Sequence, residues 1–315
     1  MVAAAAIHVG VVIATRGRPE LAALLVEELS RQTVPPEAIV ISVADHTDAP
    51  QLSDSAVTIA QGRPGLCAQR NAGLEALPAT TEIVVFFDDD FVPSRFWIEN
   101  LCTLLATMPD IVCVTGRLLF DGIKTAGSSW QEAIRLVAHA DSAADPAEGT
   151  NAVGDAHLVS DAHLVRDAHL VRDNVSPYGC NMAFRRTAIG ELRFDERLVL
   201  YGWQEDTDFG ARIAARGRCV ASDRLWGVHL GIKRGRSSGR QLGYSQMVNP
   251  HYLVGKGTMR QREALTLAGR NLAANTLRAL YPESFIDRRG RLEGNLIGLW
   301  DILTGCSRPE RAAEL

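Results

Sequence analysis

The sequence lacks several features that would place it in a specialised class of proteins. No uninterrupted apolar stretch reaches the ~18 residues of a transmembrane helix, so we expect no membrane span. The formal net charge is only −4, which gives no reason to expect nucleic-acid binding. The six cysteines include no C-x-x-C pair, and we expect reduced, mostly packed thiols of a cytosolic protein rather than disulfides.

The composition that is present belongs to an ordinary globular protein. The 315 residues are 46% hydrophobic and 22% charged, enough for one large domain or a domain with an appendage. Residues 1–14 are apolar but lack the basic start and the small-residue cleavage site of a signal peptide. We therefore expect a short tail followed by a buried first strand.

Strand-like and helix-like segments alternate in the first third of the chain. Strand patterns occupy 8–15, 38–45, 56–60, 82–90 and 110–120, and helical patterns lie at 18–32, 66–77 and 94–108. Continuous apolar strands separated by helices predict an α/β fold, with a mostly parallel sheet covered by helices on both faces. Ligands of such sheets bind beyond the carboxyl ends of the strands, where Thr15, Asp45 and residues 88–90 lie.

Residues 124–177 have a different character. The hexapeptide that begins DAHLV occurs three times, starting at Asp155, Asp161 and Asp167. The segment is predicted to be a variable insertion, either a recent duplication or a short exposed element. Its regularly spaced histidines at 157, 163 and 169 leave a metal cluster as the alternative.

The C-terminal part is predicted to be a helical appendage, with helices at about 259–280 and 291–304. The preceding segment KRGRSSGRQLG (233–243) is basic and rich in glycine and serine, and we expect it to be mobile. The last helix carries an apolar face, expected to pack against the main domain or a second subunit, with a membrane surface as the alternative. The face comprises Leu292, Leu296, Leu299, Trp300 and Leu303.

Several short motifs follow one another between residues 8 and 232. They are VVIATRGRP, VADHTD, GLCAQRNAGL, FFDDDF, GCNMAFRR and GWQEDTDFGARIAARG. In this order they resemble the motifs of inverting family-2 glycosyltransferases with the GT-A fold. The resemblance implies a nucleotide-sugar donor and an acceptor hydroxyl on a saccharide, a lipid-linked molecule or a small molecule.

The run of three acids in FFDDDF is the position of a divalent cation in this resemblance. Carboxylate oxygens are the ligands that hard cations such as Mn²⁺ or Mg²⁺ prefer. The resemblance implies Asp90 as a direct ligand, Asp88 on the ribose or a metal-bound water, and His229 as a third ligand, with a structural histidine as the alternative for His229. Asp89 is assigned to the donor site without a specific contact. A solvated acidic turn is the alternative for all three acids.

Five further residues are implied in donor binding. Asp45 would accept a hydrogen bond from uracil, which favours a UDP-sugar, although such a residue is commonly a turn residue. Thr15 and Arg16 would line the base pocket through their backbone. Arg70 would neutralise phosphate or hold Asp45, with a surface salt bridge as the alternative, and Asn71 would hydrogen-bond loop backbone.

The motif GWQEDTDFG is implied in catalysis. Inversion needs a base that takes the proton of the acceptor hydroxyl, and the resemblance assigns this role to Asp206. Glu205 would bind acceptor hydroxyls or serve as the second candidate base, and Asp208 would cap the helix. Trp203 would stack on a sugar or belong to the core.

The expected organisation is a GT-A catalytic domain at 1–232, which includes the insertion at 124–177, followed by a mobile loop and C-terminal helices at 233–315. Lys233, Arg234 and Arg236 would form a closing lid or a solvated basic loop. A Rossmann dehydrogenase is disfavoured because no G-x-G-x-x-G follows the first strand. The alternative function is a non-catalytic nucleotide-sugar-binding or scaffold protein, and a homodimer and peripheral membrane contact stay open.

Overall fold

The computed structural model describes residues 7–52, 57–144, 171–234, 237–281 and 283–315. The N-terminal tail at 1–6, the DAHLV repeats up to residue 170, and Arg236 of the predicted lid lie outside the described residues. Predictions about those parts of the chain, and the division into domains at residue 232, stay predictions.

Nine strands form one central sheet in the described part of the chain. The strands are β1 Val9–Thr15, β2 Ala38–Val43, β3 Val57–Gln61, β4 Ile83–Asp88, β5 Phe91–Pro93, β6 Ile111–Asp121, β7 Val171–Asp173, β8 Asn181–Arg185 and β9 Arg218–His229. Their order is β3-β2-β1-β4-β8-β6-β9-β5, and β7 also pairs with β9.

Most of these strands run in one direction. β1 is parallel to β2 and β4, β2 is parallel to β3, and β6 is parallel to β9. β8 lies antiparallel between β4 and β6, and the short strands β5 and β7 are antiparallel to β9. The prediction of a mostly parallel sheet is confirmed, while the reversed direction of β8 was not predicted.

Helices cover both faces of the sheet, as predicted. The helices are α1 Pro19–Ser30, α2 Leu66–Ala76, α3 Trp97–Thr107, α4 Trp130–Ala144, α5 Arg186–Ile189, α6 Glu205–Ala214, α7 Gly239–Lys256, α8 Gln261–Ala279 and α9 Arg288–Leu303. Alternate residues of β4 enter two separate cores: Val85 and Phe87 pack with α1 and α3, whereas Val84 and Phe86 pack with α2 and α6. This alternation explains why the strand is apolar along its whole length.

The register brings the predicted site residues to one edge of the sheet. Ala14 pairs with Asp88, and Thr15 pairs with Val43, two residues before Asp45. The carboxyl ends of β1, β2 and β4 therefore coincide, as expected for parallel strands.

Helix α7 was not predicted, and its first residues lie in the segment expected to be mobile. Ser238 caps the helix: its side chain accepts a hydrogen bond from the backbone of Gln241, whose side chain accepts one in return. Gly243, Pro250 and Gly255 interrupt the helical pattern in sequence, because glycine and proline are the residues least favoured in helix interiors.

The glycines of α7 and α9 are explained by the contact between these two helices. A Cβ at Gly243 would lie 2.1 Å from the carbonyl oxygen of Arg291, and one at Gly294 would lie 2.0 Å from the carbonyl oxygen of Arg240. The two helix backbones are thus in direct contact, which any side chain at these positions would prevent.

The predicted apolar face of α9 is exposed at three of its five residues, whereas Leu292 and Leu299 are partly buried. Leu296, Trp300 and Leu303 are 57%, 67% and 82% exposed. The buried residues of α9 include Gly294, Asn295, Gly298 and Asp301, because a close helix contact selects small residues and residues that hydrogen-bond. Leu296, Trp300 and Leu303 therefore do not pack against the described part of the chain, and packing of this face against a second subunit or a membrane surface stays a prediction.

No helix among the described residues combines the length and the apolar character that crossing a bilayer requires.

Two glycines of α7 give a matched test of the helix contact. We expect Gly243→Ala to lower the free energy of unfolding by about 1–3 kcal/mol, because the new methyl group overpacks against α9. Gly255→Ala meets no atom within 4 Å and should instead stabilise the protein by about 0.5–1 kcal/mol through helix propensity. Denaturant unfolding of both variants measures the difference, and equal effects at the two sites would contradict the backbone contact.

Candidate active site

The three consecutive acids at the end of β4 point in different directions. The side chain of Asp88 is 18% exposed, whereas those of Asp89 and Asp90 are 0% and 3% exposed. A solvated acidic turn, the alternative interpretation of this run, is therefore wrong. Burial of Asp89 and Asp90 next to the partly buried Asp88 requires positive charge nearby.

Asp89 faces the interior. It accepts a hydrogen bond of 2.7 Å from the hydroxyl of Thr15 and forms an ion pair of 2.7 Å with Arg18. Burial raises the pKa of Asp89 to about 7, although Arg18 opposes the shift. Asp89 and Thr15 thus join the ends of β4 and β1 and position Arg18, which the sequence analysis did not single out.

Asp88, Asp90 and His229 form a cluster. One ligand atom from each lies within 4.8 Å of the others. The cluster results from strand pairing: β5 follows Asp90 directly and pairs with β9 so that Phe91 lies opposite His229. Asp90 is fixed further by a hydrogen bond of 2.8 Å that it accepts from the backbone N–H of Ile232.

Two residues that the sequence analysis missed orient His229. Its Nδ1 lies 2.9 Å from Asp121 at the end of β6, and the hydroxyl of Tyr178 donates a hydrogen bond of 2.9 Å to the same carboxylate. A carboxylate behind a histidine is the usual support of a metal ligand because it fixes the ring and its tautomer. Asp121 directly follows the predicted strand 110–120, so its place at a strand end was the available signal.

The electrostatics of this cluster favour a cation. Burial would lower the pKa of His229, but Asp121 and Asp90 stabilise its charged form and raise the pKa to about 10. Burial would raise the pKa of Asp90, yet His229 and Arg18 hold it below its ordinary value. Two carboxylates and one imidazole are ligands that suit Mn²⁺, so the residues present fit a divalent cation.

Arg70 connects this cluster to α6. Its guanidinium is buried and lies 2.9 Å from Asp88 and 2.5 Å from Glu205, and it donates a hydrogen bond of 2.8 Å to the carbonyl of Gly179. Of the roles given to Arg70, the contact with Asp45 and the surface salt bridge are wrong, since the buried guanidinium pairs with Asp88 and Glu205. Its role at the phosphate stays a prediction.

Asp45 is exposed and accepts two hydrogen bonds of 2.8 Å from the backbone N–H and hydroxyl of Thr47. These bonds lower the pKa of Asp45. Arg16 is also exposed, beside the carboxyl end of β1. Asn71 exchanges hydrogen bonds of 3.0 and 2.8 Å with the backbone of Phe194, so it contacts loop backbone as predicted.

Glu205 and Asp206 begin α6 after a loop in an unusual conformation. Leu200, Gly202 and Gln204 have φ angles of 60°, 65° and 72°, a region that non-glycine residues rarely adopt and that often marks functional sites. Trp203 of this loop is held through its carbonyl, which accepts a hydrogen bond of 2.9 Å from Asn249 of α7.

The two acids of α6 have different surroundings. Asp206 is half-buried and accepts hydrogen bonds from the backbone N–H groups of Gly179 and Thr207 at 3.0 and 2.8 Å. Burial raises the pKa of Asp206, against the effect of these bonds. Burial raises the pKa of Glu205 to about 8, although the adjacent Arg70 opposes this shift.

Asp208 was predicted to cap α6, but its side chain makes no capping hydrogen bond. It is buried and forms ion pairs of 2.7 Å with Arg212 and 2.9 Å with Lys256, and it accepts a hydrogen bond of 2.8 Å from Thr258. Asp208 therefore ties α6 to the end of α7, because its position in the helix points it away from the free N–H groups.

The acids and the cluster face one cavity. We call it the reaction cavity; its volume is about 950 Å³, and Asp88, His229 and Asp206 contribute to its lining together with Trp203. A small strand-end cleft of about 80 Å³ adjoins it, lined in part by Thr15, Arg16, Arg18 and Asp90, and shares Asp88 and His229 with it. The metal-type cluster thus lies between the cleft and the cavity.

Lys233, predicted to belong to a lid, lies beside the reaction cavity. Its ammonium donates hydrogen bonds of 3.0 and 2.9 Å to the carbonyls of Gly122 and Ile123. Arg234 forms an exposed ion pair with Glu20. The closing lid itself stays a prediction.

One of three similar solved structures is close enough to show the same fold. A mannosyltransferase from Pyrobaculum calidifontis, solved with GDP-Man and Mn²⁺, aligns with a TM-score of 0.50 at 17% identity. The alignment covers 93% of this chain and 87% of the mannosyltransferase chain. Residues 1–349 of S. aureus TarS with UDP-GlcNAc give 0.44 at 12% identity, over 79% of this chain and 67% of that one. A longer TarS structure aligns with a TM-score of 0.44 at 11% identity. That alignment covers 76% of this chain but only 40% of the TarS chain.

No curated protein gave a significant sequence match. The family model described as "Glycosyltransferase like family 2" matches residues 6–224, a range that includes every strand of the sheet except the last residues of β9, together with the three acids and the start of α6. The predicted family, the GT-A fold and the identification as a glycosyltransferase are thereby confirmed: the chain belongs to glycosyltransferase-like family 2.

Proposed function

We propose that this chain transfers a sugar, with inversion, from a nucleoside-diphosphate sugar to the hydroxyl of a saccharide, a lipid-linked molecule or a small molecule. The observation that carries the proposal is the reaction cavity, which is lined by Asp206 and by two members of the Asp88–Asp90–His229 cluster, Asp88 and His229. A cation site and a base are the two groups that such a transfer needs in one place.

The donor would span the boundary between the strand-end cleft and the reaction cavity. Its nucleoside would lie beyond β1 and β2, near Arg16 and Asp45, and a UDP-sugar is favoured because Asp45 can accept the uracil N–H. The diphosphate would lie beside Asp88, Asp90 and His229. The Pyrobaculum calidifontis mannosyltransferase was solved with a donor and an ion of this class, GDP-Man and Mn²⁺.

A bound Mn²⁺ or Mg²⁺ would neutralise the diphosphate and stabilise the charge that develops as it leaves. Asp88, Asp90 and His229 would hold that ion, and Asp121 would keep His229 in the orientation that ligation requires. Arg18 compensates the buried Asp89, so that Asp90 can serve as a ligand without adding an unpaired charge to the interior.

Asp206 would accept the proton of the acceptor hydroxyl. Two backbone N–H groups fix its carboxylate, and burial raises its pKa, which makes it a better base near neutral pH than an exposed aspartate. Glu205 is less suited to this role because Arg70 lies 2.5 Å from one of its oxygens.

The cytoplasm is the proposed compartment. All six cysteines lie in the described residues as free thiols, as expected for a reducing environment.

The first test concerns the cation. Titrating UDP, GDP, dTDP and CDP into the protein by calorimetry, with and without Mn²⁺, should show one preferred nucleotide that binds at least tenfold more tightly with the ion. Asp90→Asn should lose this dependence on Mn²⁺ for every nucleotide, because it removes a charged ligand while keeping the shape. Asp45→Asn is the matched control: it should keep the Mn²⁺ dependence and lose only the preference between bases. An unchanged Mn²⁺ effect in Asp90→Asn would refute the cation site.

The second test separates chemistry from binding. Asp206→Asn should keep donor and Mn²⁺ affinity within a few-fold, while turnover falls about 10²–10⁴-fold, the usual contribution of a positioned base. Glu205→Gln is the comparison variant, since it retains a hydrogen-bonding side chain next to Arg70. Donor turnover, followed as release of nucleoside diphosphate, measures both. Near-normal turnover in Asp206→Asn would place the base elsewhere, and a wild-type protein that binds donor without turnover would favour the non-catalytic alternative.

A further inference from the structure

The reaction cavity continues past the start of α6 into a second space. We call this space the outer groove; its volume is about 820 Å³. The cavity and the groove share one set of lining residues, namely Ser176, Gln204, Thr207, Leu267 and Arg270. The strand-end cleft, the reaction cavity and the outer groove therefore follow one another, with the metal-type cluster at the first junction and the start of α6 at the second.

One face of α8 forms a common wall of the cavity and the groove. The residues of this α8 wall are neighbouring or three to four positions apart, as one side of a helix requires: Arg262, Glu263, Thr266, Leu267, Arg270, Asn271, Ala274 and Arg278. Successive arginines of the wall, Arg262, Arg270 and Arg278, are eight residues apart, which corresponds to about 12 Å along a helix. They form a row from the outer groove to the reaction cavity.

Two arginines of this row are not neutralised. Within the described part of the chain, Arg262 and Arg270 form no ion pair, whereas Arg278 pairs with Glu283 at 2.7 Å. The acids that line the outer groove are already engaged, Glu263 with Arg260 and Asp173 with Arg218. The α8 wall thus presents positive charge to the groove without compensation from these acids.

Hydrogen-bond donors of the reaction cavity show the same imbalance. The indole N–H of Trp203 and the side-chain amide nitrogen of Asn271 are buried and have no partner, although both residues line this cavity. A buried donor without an acceptor is unfavourable by roughly 1–3 kcal/mol, so a ligand oxygen at this wall would relieve that cost.

The donor diphosphate does not account for Arg270. A diphosphate bound through a cation at Asp88 and His229 would lie at the first junction, whereas Arg270 lines the second. The substrate that must reach Asp206 from this side is the acceptor. Parts of the acceptor that extend away from the reacting hydroxyl would run along the α8 wall into the outer groove.

From this arrangement we propose that the acceptor is anionic and that Arg270 binds its phosphate or carboxylate group, with Arg262 contributing further along the outer groove. The inference rests on the proposed function and specifies its acceptor. The planar guanidinium suits both groups because it can donate two parallel hydrogen bonds to either.

The test uses probes that share the glucose ring and differ in charge: methyl glucoside, glucose 6-phosphate and glucuronate. Each is titrated into the 315-residue chain by ligand-observed NMR, both without nucleotide and with Mn²⁺ and the preferred nucleoside diphosphate filling the donor site. We expect at least one anionic sugar to bind about tenfold more tightly than methyl glucoside in both states, and the phosphate and carboxylate arms identify which group is preferred.

Variants assign that preference to the α8 wall. Arg270→Ala should abolish it, Arg270→Lys should retain part of it, and Arg262→Ala should weaken it. Arg135→Ala, a change at an exposed arginine of α4 outside the cavity and groove, should leave it unchanged. All variants should keep nucleotide affinity and melting temperature, which separates a binding role from a structural one.

Two results would overturn the inference: equal binding of neutral and anionic sugars, or a preference that survives Arg270→Ala. Failure of the proposed function has a different signature, namely no Mn²⁺-dependent nucleotide binding in the same samples. Since the titration without nucleotide still reports on Arg270, the two failures are distinguishable.

Discussion

The site depends on a buried guanidinium. Arg70 is enclosed between Asp88, at the end of β4, and Glu205, at the start of α6, and the rings of Phe86 and Phe194 lie within 6 Å of it. Removal of one partner of a buried pair costs about 3–5 kcal/mol because an uncompensated charge remains. The sheet edge that carries the cation ligands and the helix that carries Asp206 are thus held at one separation.

A second buried ion pair, between Asp89 and Arg18, also stabilises the strand ends. Asp89 is fully buried and would be unstable as an anion alone, but Arg18 and Thr15 compensate it. The three acids therefore have different partners. Asp88 pairs with Arg70, Asp89 pairs with Arg18, and Asp90 lies beside His229. The repulsion within the run is tolerated because each acid has a different cationic neighbour.

The predictable parts of the molecule were those encoded locally. Apolar runs predicted the parallel strands. The acids at the end of one such run predicted that Asp88 and Asp90 belong to the site. Asp121, Tyr178 and Arg18 were missed because their roles arise from long-range pairing of β6 with β9 and of β4 with β1. Helix α7 and the buried side of α9 were missed for another reason: glycines that weaken the helical pattern are required by the backbone contact between these helices.

Helix α8 differs from its neighbours in how firmly it is anchored. Its only buried residues in the described structure are Ala264 and Asn275, and Asn275 holds it through hydrogen bonds of 2.9 Å to Gln246 and 2.8 Å to Asn295. Few apolar contacts mean a low free energy of local opening. In hydrogen-exchange terms, the amides of α8 should lose protection before those of α7 and α9, so the side of the cavity that carries Arg270 is also the side that can yield to an incoming molecule.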